Sequence, residues 1–135
     1  MKITNTTKFI LLLASFMMAI NIILGAFGAH AVKDILNEYY LAIYHTAVSY
    51  TFYNILGLFA LAFISTIMPN SKKIKISAYF IFIGTLVFAA SLYALVFLEK
   101  AILGAITPIG GALMIIGWFI LFYAILKDLK LEPLK

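Results

Sequence analysis

Charged side chains divide this chain into four long uncharged windows, at 9–29, 39–71, 76–98 and 101–126. No other feature restricts its fold as much. A hydrocarbon core about 30 Å thick is crossed by roughly 20 helical residues, so each window supplies one span and none supplies two. Inside lipid every backbone N–H and C=O needs a partner within the protein, and continuous apolar windows of this kind predict helices. The expected fold class is all-α, an integral membrane four-helix bundle. Residues 1–135 are read as a single domain with spans at about 9–29, 44–68, 76–98 and 107–126. Composition points the same way. With 65% hydrophobic residues, 11% charged residues and a mean hydropathy of +1.12, the chain lacks the polar surface that a water-soluble domain requires.

The first window has a second reading. Lys2 and Lys8, an apolar run and Ala29-His30-Ala31 imitate a signal peptide with its cleavage site. An apolar run of this length that carries Asn21 fits a retained span better.

The net charge of +5 could suggest a nucleic-acid partner, but all ten basic residues are lysines placed between and beyond the apolar windows. That is the pattern of membrane flanks, and no nucleic-acid groove is expected. Lys2, Lys8, Lys72, Lys73, Lys75, Lys127, Lys130 and Lys135 fall on one side. Lys33 and Lys100 fall on the other, with Asp34, Glu38 and Glu99. The positive-inside rule assigns the lysine-rich side, with both termini, to the cytoplasm.

Helical spacing then suggests which faces pack. Ala14, Met18, Asn21, Gly25 and Gly28 share a stripe on the first span. Ser77, Gly84 and Ser91 recur every seven residues on the third, and Gly110, Gly117 and Ala124 do so on the fourth. Small residues let helix backbones approach where lipid supplies no hydrophobic drive, and a seven-residue period favours left-handed crossings. On the second span Thr46, Ser49, Tyr50, Tyr53 and Gly57 gather opposite Val48, Ile55, Phe59 and Ala62. The first group is expected to face the bundle, so enlarging Val48 or Ile55 should be milder than enlarging Gly84 or Gly117. Asn21 and Asn54 are read as interhelical hydrogen-bonding residues, and Tyr39, Tyr40 and Tyr44 as an outer aromatic belt.

Chemistry-bearing residues are few. His30 and His45 are the two histidines, and Asp34 and Glu38 lie on the segment between them. Two imidazoles and two carboxylates could hold Zn²⁺ or relay protons, but no His pair or H-x-x-E spacing sets metal geometry. The ordinary reading puts each His at the headgroup boundary, and no metal or other cofactor is expected. Thr107 is positioned to cap the fourth span, with Pro108 as its first helical residue. The N–H groups around Ile109, Gly110 and Gly111 would then face outward. With His30, Asp34 and His45 they would form a polar cup suited to a carboxylate or a lipid phosphate. The chain has no cysteine, no nucleophile elbow, no P-loop and no dinucleotide fingerprint. No ionisable residue sits at mid-membrane, which disfavours a proton-coupled pump.

Gly25-Ala-Phe-Gly-Ala-His30, Thr46-Ala-Val48 with Tyr50, Ser91-Leu-Tyr93, Thr107-Pro-Ile-Gly-Gly111 and Gly117-Trp118 together resemble the domain-of-unknown-function family 423. The resemblance implies a small four-span protein of the bacterial inner membrane and carries no activity with it. Members often have His where this chain has Asn54, Gln where it has Thr51, and Ser-Gly where it has Ala89-Ala90. A role for a second-span imidazole at position 54 therefore does not transfer. The functional expectation is a non-enzymatic bundle that binds a membrane lipid or another membrane protein, or that self-associates. An oligomeric transporter or channel is the alternative, and an interfacial enzyme using His30 ranks third.

Overall fold

The computed structural model describes residues 1–130. Among the described residues there are four helices long and apolar enough to cross a membrane. They are α1 (Asn5–Phe27), α2 (Glu38–Ile67), α3 (Lys72–Leu98) and α4 (Thr107–Asp128), with a π-helical turn at Gly28–Val32 and a 3-10 turn at Ala101–Ala105.

Local chemistry sets the ends. The Thr4 hydroxyl accepts from the Thr7 N–H while the Thr7 hydroxyl accepts from the Thr4 N–H, each at 3.2 Å. This reciprocal cap satisfies two of the otherwise unpaired donors at the start of α1. The Asn37 side chain accepts from the Tyr40 N–H at 3.0 Å, and Glu38 adds a negative charge to the first turn. Those two features start α2 well before the span read at 44–68. Likewise α3 begins among its lysines and ends at Glu99, whose φ of 54° is left-handed.

Successive helices pack on one another, and the closest pair is α3 with α4. Here the two small-residue stripes meet antiparallel. The Ser77 hydroxyl donates to the Gly117 carbonyl at 2.8 Å. A Cβ on Gly84 would come within 2.8 Å of the Gly110 carbonyl oxygen and 2.7 Å of the Met114 nitrogen. Ser91 and Thr107 share a hydroxyl–hydroxyl bond of 2.7 Å. Thr107 is therefore not the cap expected of it. It is the first residue of α4, preceded by Ile106, and its hydroxyl is turned to α3. Ile106, which follows the 3-10 turn, is the N-cap residue instead, and its carbonyl accepts from the Ile109 N–H at 3.0 Å.

The reading of α2 is corrected in part. Gly57 does lie at a helix contact, against the Trp118 indole of α4. Ile55 and Ala62 are buried with Leu58 and Leu61, however, whereas Tyr50 and Tyr53 are 48% and 63% exposed. Lipid tails are as apolar as Ile or Leu, so hydrophobicity does not say which face turns inward. Ile10, Ala14, Leu58, Ile81 and Ala124 join in one core at the lysine-rich half, to which all four helices contribute.

At that end the Lys2 N–H donates to the Thr66 carbonyl at 3.0 Å, and the Thr7 and Ser65 hydroxyls meet at 2.7 Å. Lys73 pairs with Asp128 at 2.7 Å, and Ser71 donates to the same carboxylate. The start of α1, the α2–α3 turn and the end of α4 thus lie on one side of the bundle.

Candidate functional site

Polar residues fall into an outer group and an inner group. The outer group shows no hydrogen bond among His30, Asp34, His45 and Thr107. His30, Asp34 and His45 are all exposed, and no cluster of three or more His, Asp or Glu able to hold a metal occurs among the described residues. Thr107 is engaged with Ser91, and the N–H of Ile109 is already paired. Tyr44, expected in an aromatic belt, is fully buried and donates its hydroxyl to the Leu24 carbonyl at 2.6 Å. Its ring lies over Gly28, where a Cβ would sit 2.4 Å from Cε1. Gly25 has more room, with an added Cβ only in ordinary contact with Val48. The two glycines of the first span therefore admit a ring and a neighbouring helix.

The inner group is more informative. Asn54 bridges α2 and α4: its amide donates to the Tyr50 carbonyl at 2.9 Å and approaches the Met114 sulfur at 3.1 Å. Its Oδ1 accepts from the Trp118 indole at 3.2 Å. Both ends of that side chain are satisfied, which makes Asn54 a structural link. Asn21 is satisfied at one end only. Its amide donates to the Val48 carbonyl of α2 at 3.1 Å, while Oδ1 has no partner. The Val48 carbonyl accepts and cannot donate, so this orientation is fixed and Oδ1 remains an acceptor.

Two other buried oxygens also lack a partner, the hydroxyls of Thr51 and Tyr93. All three side chains line the same cleft, of about 200 Å³, between α1 and α3. Phe16 and Ile20 form one lip, Leu86 and Ala90 the other, and Thr51 of α2 forms the floor. Asn21 and Thr51 are 3% and 8% exposed. Tyr93 comes from near the end of α3, and helical side chains lean toward the helix N-terminus, which carries its hydroxyl back toward the middle of the span. Ala89 and Ala90 leave the room that the cleft occupies. The lips remain open, since Phe16 and Leu86 are largely exposed. A larger recess of about 700 Å³ lies at the lysine-rich end between the α2–α3 turn and the end of α4. It contains no buried polar atom in want of a partner, and its Asp128 is already paired.

A buried polar group without a hydrogen bond costs about 1–3 kcal/mol. Among the described residues no other buried side-chain oxygen or nitrogen lacks a partner, which makes this cleft the candidate site. Sequence reasoning singled out Asn21 for helix contacts and passed over Thr51 and Tyr93 as site residues. The available signal was depth: a polar side chain within an apolar window needs a partner from the protein.

The model of the family described as "Protein of unknown function (DUF423)" matches residues 24–111. The chain belongs to this family. A UPF0382 membrane protein of Staphylococcus epidermidis is 44% identical over 103 residues, which cover 76% of this chain and 83% of the relative. The UPF0382 membrane protein YwdK of Bacillus subtilis is 40% identical over 106 residues, 78% of this chain and 86% of the relative. The UPF0382 membrane protein SH2409 of Staphylococcus haemolyticus is 36% identical over 120 residues, 89% and 97% of the two chains. No solved structure matches the chain. The DUF423 match takes in the π-helical turn, α2, α3 and the start of α4, and so includes Thr51 and Tyr93. It identifies a small membrane protein of unknown activity.

Proposed function

We propose that this DUF423 protein resides in the bacterial cytoplasmic membrane with both termini inside, and that it holds a lipid molecule in the α1–α3 cleft without catalysing its conversion. The single observation that carries the reading is the set of three unpaired oxygens lining one lipid-facing cleft. The cleft's polar groups are an amide and two hydroxyls, none of which is charged or poised as a nucleophile beside a base. Its walls are apolar, which suits acyl or isoprenoid chains. The membrane orientation is supported by the lysines gathered at the end that carries Lys2, Lys73 and Lys127.

Lipid extracted with the purified protein tests the cleft. Ala90 is exposed on its lip, so Ala90→Phe fills the space without disturbing the core. We expect that change to lower co-purifying lipid by at least half, while Ala112→Phe, on the exposed face of α4, leaves it unchanged. Equal lipid in all three proteins would remove the reading. Because the chain has no cysteine, orientation is open to single-cysteine labelling. Ile35→Cys, at a position 71% exposed, should react with an impermeant maleimide in intact cells. Ile3→Cys should react only after permeabilisation. The opposite pattern would invert the topology.

A further inference from the structure

The hydrogen-bonding character of the three unpaired oxygens narrows the ligand class, an inference that rests on the lipid-binding reading above. Asn21 Oδ1 only accepts, whereas the Thr51 and Tyr93 hydroxyls each donate and accept. A ligand that satisfies the set must donate to Asn21 and accept from a neighbouring hydroxyl. A carbonyl or an ether accepts from the hydroxyls but leaves Asn21 unpaired. An ammonium donates but carries a charge into the membrane interior, where none of the cleft residues can neutralise it. A phospholipid keeps its donors in the headgroup at the interface, and its ester oxygens only accept. We infer that the α1–α3 cleft takes a neutral lipid bearing a free hydroxyl, seated on Asn21, Thr51 and Tyr93 with its chain between Phe16 and Leu86.

The geometry provides for both ends of such a molecule. Asn21 is anchored through its amide to the Val48 carbonyl at 3.1 Å, one helical turn before Thr51, and both side chains line the cleft. Tyr93 lines the cleft from the α3 wall. Each of the three oxygens has under 1 Å² of accessible surface, so the cleft has to widen to admit the incoming hydroxyl. Ala89 and Ala90 keep the opposing wall low enough for the chain to pass.

The same absence of partners makes the test clean. Thr51→Val and Tyr93→Phe remove oxygens that bond to nothing in the protein, so the double variant should melt no lower than wild type when stripped of lipid. Native mass spectrometry of the delipidated protein with dioleoylglycerol, and separately with its methyl ether, reads the preference directly. Wild type should retain the alcohol about tenfold better than the ether, the ratio expected when ordinary hydrogen bonds are lost. The double variant should hold both alike. Thr85→Val, whose hydroxyl bonds to the Ile81 carbonyl of its own helix, should keep the wild-type preference. If wild type retains alcohol and ether equally and Ala90→Phe retains neither, the cleft binds lipid but the hydroxyl inference is overturned, as it would be if a trapped water filled the three bonds. If wild type retains neither, the lipid-binding reading falls as well.

Discussion

Replacing Gly110 with alanine is expected to lower the melting temperature of the detergent-solubilised protein sharply, while the same change at Gly111 leaves it unchanged or raises it. The two positions are neighbours on one helix, so membrane depth and helix propensity hardly differ between them. Their surroundings do. A Cβ on Gly110 would lie 2.4 Å from the Phe88 backbone nitrogen and 2.8 Å from both the Phe88 Cα and the Gly84 carbonyl oxygen, whereas one on Gly111 meets nothing within 4 Å. The obstacles at Gly110 are backbone, and no rotamer change clears them. α3 and α4 would have to separate, loosening the Ser77–Gly117 and Ser91–Thr107 bonds along with the packing between them. Overpacking of this kind costs about 1–3 kcal/mol and sometimes more. Exchange of Gly for Ala in an open helical position gains up to about 1 kcal/mol. Thermal denaturation of both variants by circular dichroism decides the matter. Equal melting temperatures would mean that the seam is not where the structure puts it.

Truncating Tyr44 to alanine should be comparably damaging, at roughly 3 kcal/mol or more, as found when large aromatic side chains are removed from packed interiors. In lipid the loss is one of packing, because an exposed Tyr ring would not have faced water. The ring lies over Gly28, 5.1 Å from the Tyr93 ring centroid, and is fully buried with Val32 and Val96. Tyr44→Phe keeps the ring and removes only the hydrogen bond to the Leu24 carbonyl, so about 1 kcal/mol is expected. Gly28→Ala should also destabilise, since the added Cβ would meet the ring at 2.4 Å, and combining it with Tyr44→Leu should recover part of the loss. Additive effects of those two changes, measured by chemical or thermal denaturation, would argue that the ring and the glycine are not in contact.

Much of this protein was determined by the sequence alone. The four spans follow from uncharged windows of the right length, because a backbone in hydrocarbon has few ways to pair its polar groups. The α3–α4 seam was legible in the seven-residue recurrence of Ser77, Gly84 and Ser91 against Gly110, Gly117 and Ala124. Small residues in a spanning helix are informative where bulky ones are not. Family membership was legible in GAFGAH and TPIGG. Tertiary structure alone decided the rest. It turned Ile55 inward and Tyr50 and Tyr53 outward, a choice that apolar composition cannot make when the surrounding solvent is equally apolar. It moved Tyr44 from an interfacial belt into the core, because the space above Gly28 comes from another helix. It gave the Thr107 hydroxyl to Ser91 and left the N-cap position of α4 to Ile106. It also showed that Asn54 is satisfied at both ends while Asn21, Thr51 and Tyr93 are not. Which oxygens go unpaired depends on atoms brought together from three helices, and no spacing within one helix records that.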